Sequence, residues 1–190
     1  LTAEWAGPAV TAAIISSLIA IIGWLVSYRM TRRLETVRRD EKVRDFQIAL
    51  LAEIRSERHH LATLDLAGDL EHVRAQYAAA EQHGRAYAPM VPRIAGPLVF
   101  PNVVKEIHIL PERTIDPVVL YFRQVQLVER FIEDLRGERF RSLESARQIA
   151  MYADYIELMR YWRVMAEQAC EALEASLGAS RPVSSSASVR

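Results

Sequence analysis

An all-α fold is predicted: one N-terminal transmembrane helix, a long juxtamembrane helix, and a C-terminal antiparallel helical hairpin forming a small bundle. Three observations carry that prediction. An uncharged apolar run extends from Ala9 to Tyr28, apolar residues recur at three- and four-residue steps through most of the remainder, and no alternating strand pattern exceeds four residues. The chain has 190 residues, 51% of them apolar and 25% charged, enough for one domain plus an appendage. Lys+Arg and Asp+Glu are equal at 24 each, so nucleic acid is not expected as a partner. Cys170 is the one cysteine, which excludes an intrachain disulfide and argues against a stapled secreted fold.

Residues 1–8 are expected to form a short extracytoplasmic N-terminus. Residues 9–28 are the expected transmembrane helix. No charge lies between Glu4 and Arg29, and a helix over that run would be roughly 30 Å long, matching the hydrocarbon layer. Its Val, Ile and Leu side chains favour insertion by about 4 kcal/mol in sum. Trp5, Trp24 and Tyr28 flank the run, where amphipathic rings prefer the membrane interface. A cleavable signal would need basic residues ahead of the run, and Glu4 is the only charge there. A core helix of this length would carry a polar stripe, and none is present. The basic residues Arg29, Arg32, Arg33, Arg38 and Arg39 all follow the span, which predicts Leu1 outside and the rest in the cytoplasm. The same arginines are candidate contacts for anionic headgroups, though the topology bias alone would also place them there. Ala9, Ala13 and Ser17 recur every four residues and form a candidate helix-pairing face for a homodimer. Small residues are common in any spanning helix, so both readings stay open.

Residues 29–83 read as a basic juxtamembrane stalk that becomes a bundle helix. Val43, Phe46, Leu50, Ile54, Leu61 and Leu64 make an apolar stripe with one step missing, at Glu57. The heptad is not sustained, so a mixed stalk and bundle helix is expected rather than a pure coiled coil. An unbroken helix would reach His83, with Gly68 as its weak point. Residues 84–101 hold a Pro/Gly linker. Residues 102–177 form the expected cytoplasmic helical domain. It opens with a short helix over Asn102–Ile109 stopped by Leu110-Pro111. Asp116-Pro117 is the start signal of the next helix, whose stripe is Val118, Phe122, Val125, Val128, Ile132 and Leu135. Gly137 breaks it, Ser142 is the expected cap of the last helix, and Gly178 its end. Tyr155, Leu158, Trp162, Met165, Ala169 and Leu173 make one row on that helix, and a short turn makes the two helices antiparallel neighbours. Glu–Arg pairs three apart, such as Glu71/Arg74 and Glu157/Arg160, support solvated helical faces. Residues 178–190 are polar and read as a disordered tail.

Motifs that carry chemistry are sparse. There is no phosphate loop, no HExxH, no cysteine pair and no nucleophile elbow. Glu53, Glu57 and His60 share a helical face, and Glu57-x-x-His60 has the spacing of a di-iron bundle. That chemistry needs a second Glu-x-x-His, which the chain lacks, so these three remain the only metal candidates, and no metal or other cofactor is expected. Tyr152, Tyr155, Tyr161 and Trp162 cluster on the last helix. They offer either an aromatic groove or, the preferred reading, core packing.

The run FPNVVKEIHILPERTIDPVVLYFRQVQLVERFIEDL, residues 100–135, resembles a segment of uncharacterised small single-span bacterial membrane proteins with a cytoplasmic helical domain. Phe100, Asn102, Ile107, Leu110, Pro111, Val118, Val119 and Tyr121 match its outline. His108-Ile109 departs from it, because those proteins carry Gly ahead of a Leu-Leu pair. The resemblance covers about a fifth of the chain and brings no activity with it. It implies a bacterial inner-membrane protein. The expected role is non-enzymatic: a scaffold, regulator or assembly partner acting on a protein not named by the sequence. The alternatives are a prophage- or stress-linked envelope accessory, related to immunity or lysis, and a metal-binding bundle.

Overall fold

The computed structural model describes residues 6–179, without the side chains at 6, 8–11 and 14. Trp5 and the tail beyond Ala179 lie outside the described residues. All regular structure among them is helical: α1 Ala6–Thr63, α2 Leu66–Gln82, α3 Phe100–Val103 running into a 3₁₀ stretch Val104–Ile109, α4 Glu112–Arg136, α5 Glu138–Arg141 and α6 Ser145–Ala179. The chain divides into two compact units, one ending at Arg44 and the other starting at Asp45.

The first unit is helical throughout its described part. Its large apolar side chains are exposed on every side of the helix: Leu18 is 53%, Ile19 65%, Ile22 58% and Trp24 67% exposed. The Ser17 hydroxyl donates to the Ala13 carbonyl at 2.8 Å, and Thr31 and Thr36 bond back to Ser27 and Arg32 in the same way. These three hydroxyls therefore need no outside partner. Trp24 stacks on Tyr28 with centroids 5.6 Å apart, and the Arg32 guanidinium lies 4.8 Å from the Tyr28 ring centroid.

The second unit is a bundle of three rods. Burial of the α1 stripe begins at Gln47, and Leu50, Leu51, Ile54 and Leu61 enter the core. The rod then breaks at Leu64-Asp65, not at Gly68. Asp65 caps α2, its carboxylate accepting from the Gly68 N–H at 3.0 Å. A Cβ at Gly68 would collide with that carboxylate, so the glycine serves the cap. The continuous helix to His83 is thus corrected to two helices. Both run antiparallel to α6, since Gln47 and Arg55 meet Ser176 and Glu174 while Tyr77 meets Gln148. Gly84, at φ +62°, closes α2: the Arg85 N–H reaches back to the Ala80 carbonyl at 2.9 Å.

Helix α4 starts at Glu112, earlier than the Asp116-Pro117 signal. Thr114, fully buried, bonds the Pro111 carbonyl through both its N–H and its hydroxyl, which closes the first turn. Pro117 then sits inside the helix and forgoes the bond to the Arg113 carbonyl. The predicted stripe from Val118 to Leu135 is buried in full. Helices α4 and α6 are antiparallel neighbours: Arg113 approaches Ser176, Tyr121 faces Trp162, and Gln124 donates to the Leu158 carbonyl. Ser142 does not cap α6. Its hydroxyl bonds back to the Arg139 carbonyl, while Gln148 fastens the turn by donating to the carbonyls of Phe140 and Leu143. Gly178 lies within α6 rather than ending it.

The stretch 85–97 has no regular structure, yet it is packed. Val91 is buried, Arg136 donates to its carbonyl at 2.7 Å, and Tyr87 meets Tyr77 edge-on. It is a strap fixed to the bundle rather than a free linker, and its last residues reach α1.

Candidate functional site

A cavity of about 380 Å³ in the second unit opens where the α1 stripe misses its step. Ala49, Ala52 and Ser56 give α1 a small-residue face there, and Glu53 and Glu57 sit on the same side. The strap from Ala95 to Val99 forms the opposite wall. Tyr121, Phe122 and Val125 of α4 and Trp162 of α6 form the floor. The stripe residues Leu50, Ile54 and Leu61 turn into the core, and Glu57 takes the position where the next apolar residue would close the gap.

Glu53 holds the strap in place. Its Oε1 accepts from the N–H groups of Leu98 at 2.5 Å and Val99 at 2.7 Å, and its Oε2 from Phe100 at 3.1 Å. These amides lead into α3 and have no intrahelical acceptor, so a carboxylate supplied from another helix satisfies them. The Phe100 ring is thereby set on Phe122, with centroids 3.8 Å apart and planes 15° from parallel. Glu57, half-buried, makes no hydrogen bond or ion pair among the described residues. No Lys, Arg or His lines the cavity.

The floor has its own electrostatics. Burial pushes the Tyr121 hydroxyl well above its ordinary pKa, the Trp162 N–H draws it partly back, and the negative charges of Glu57 and Glu53 raise it further. Tyr121 is therefore a neutral donor. The Trp162 indole N–H, in a side chain 2% exposed, has no hydrogen-bond partner of proper geometry. It lies near enough to Tyr121 to draw that hydroxyl's pKa down without forming a hydrogen bond to it. Burial raises the Cys170 thiol as well, with Arg58 opposing. A buried, protonated thiol of this kind is inert as a nucleophile.

The structure separates the metal candidates. Glu53 and Glu57 line the cavity, whereas His60 is exposed and does not. Among the described residues no three His, Cys, Asp or Glu side chains converge on a metal position. Tyr152, Tyr155 and Trp162 are core residues, and Tyr161 alone of the aromatic cluster is exposed. Arg29, Arg32, Arg33, Arg38 and Arg39 are exposed, as are Ala13 and Ser17, while the Ala9 side chain lies outside the described residues. The predicted Glu71/Arg74 and Glu157/Arg160 pairs form at 2.7 and 2.6 Å. The strap's role and the unpartnered indole had no counterpart in the sequence reading, and only the missing step at Glu57 hinted at the cavity. Comparison of the chain with protein-family models, curated proteins and solved structures finds no match.

Proposed function

We propose that this is a single-span bacterial inner-membrane protein, with its N-terminus outside and its helical bundle in the cytoplasm. Its role there is non-enzymatic, as an anchored scaffold, regulator or assembly partner. The observation that carries the reading is the exposure of Leu18, Ile19, Ile21, Ile22, Leu25 and Val26 on one broad face of α1, with Trp24 exposed on the opposite side. At 100° per residue these six span an arc of about 160°, Trp24 projects from the other side, and no charge lies between Glu4 and Arg29, so lipid suits the whole circumference. Left in water, each would forgo roughly 1.5–3 kcal/mol. The Trp24–Tyr28–Arg32 ladder supports an interfacial boundary at the end of the run, and the arginines after it support the cytoplasmic side. Among the described residues no helix is long and apolar enough to cross a membrane. The run from Ala9 to Tyr28 enters that statement only in part, because the side chains at 8–11 and 14 lie outside the description. The non-enzymatic reading draws on an inert thiol, a neutral tyrosine and a glutamate committed to backbone amides. Extraction tests the anchor: after an alkaline carbonate wash the full chain should stay in the membrane pellet, and release into the supernatant would refute the span.

A further inference from the structure

We propose that the cavity between α1, the strap and the α4–α6 floor binds a small organic ammonium. This inference stands on the second unit alone and does not depend on the membrane reading.

Charge comes first. Two carboxylates face one cavity of about 380 Å³, and no basic side chain lines it. Glu53 gives its oxygens to three neutral backbone amides, which leave its negative charge uncancelled. Glu57 has no partner among the described residues. An unpaired, half-desolvated carboxylate is unfavourable until a cation joins it, and an anionic ligand would meet repulsion. The floor agrees with that sign. Tyr121, Phe122 and Trp162 supply aromatic surface whose faces attract cations, indole most strongly.

A metal ion is a poorer occupant. It would need several ligands, and among the described residues no third donor joins the two glutamates. A compact ammonium with methyl or methylene groups suits a mostly apolar wall better. The volume lies at the lower end of small-ligand sites.

Choline is the probe, and 3,3-dimethylbutan-1-ol, its uncharged isostere, is the control. The full chain in detergent, with Trp5 and Trp24 replaced by Phe, leaves Trp162 as the sole tryptophan reporter. Choline should change its emission saturably, and the neutral alcohol should bind at least about tenfold more weakly. Glu57→Gln should weaken choline by a similar factor without lowering the urea midpoint, because Glu57 holds no structural bond. Equal binding of choline and the alcohol would overturn the proposal. So would an unaffected Glu57→Gln, or the absence of any saturable response to choline.

Discussion

Removing the Glu53 carboxylate is the sharpest perturbation of the bundle. It accepts from three consecutive amides, those of Leu98, Val99 and Phe100. Leu98 is 83% exposed, so water can replace its bond at little cost. The amides of Val99 and Phe100 are partly buried, and each loses a charge-assisted bond worth roughly 1.5–3 kcal/mol. Allowing water partial access, Glu53→Ala should destabilise by about 2–4 kcal/mol. Glu53→Gln keeps one acceptor oxygen and should lose about half as much. Urea unfolding followed by circular dichroism reads the effect as a lower midpoint at constant slope. A loss below about 0.5 kcal/mol for the alanine variant would refute the reasoning. It would mean that the strap is held by Val91 and Phe100 packing and that the carboxylate is dispensable.

Other outcomes follow from the same structure. Gln47 and Ser176 are both buried and joined at 2.8 Å, so Gln47→Leu should cost about 1–3 kcal/mol. Adding Ser176→Ala should cost less than the two single losses summed, and strict additivity in a double-mutant cycle would contradict the bond. Burial raises Tyr77 to about 12, helped by Tyr87, and burial raises Tyr152 to about 12, helped by Asp69. The unfolded chain ionises these tyrosines first, near 10.0, so stability should be intact below that pH and fall as pH rises toward about 12. Urea midpoints that stay flat through this window would count against buried, neutral tyrosines. If Ala13 and Ser17 pair two copies of the chain, replacing both with leucine should weaken self-association in detergent by roughly tenfold, and unchanged sedimentation would retire the pairing face.

The parts of the fold written in short-range pattern were legible. The α4 stripe from Val118 to Leu135 and the α6 row from Tyr155 to Leu173 needed only helical spacing. The His83-Gly84 stop needed only glycine's access to positive φ. Helix starts were less so. Asp116-Pro117 carries a strong local signal, but Leu110-Pro111 had already ended the preceding turn, and Thr114 could close a new one at once. Gly68 is the weak point the sequence shows, but the break is made three residues earlier, where Asp65 caps α2. The site was the least legible part. Glu53, Glu57 and His60 share a face by spacing, which suggested metal ligation. The true task of Glu53 depends on amides 45 to 47 residues away, which no local pattern can announce. The cavity itself needs three elements to meet, and in the sequence it survives only as a gap in a stripe.

The most direct trial of the account is a pair of tail fusions in a bacterial host, one to alkaline phosphatase and one to green fluorescent protein, both placed after Arg190. With lipid around Ile15 to Tyr28 and the bundle inside, the fluorescent fusion should glow in the membrane fraction and the phosphatase fusion stay silent. Phosphatase activity from the tail, or fluorescence found free of membranes, would contradict it.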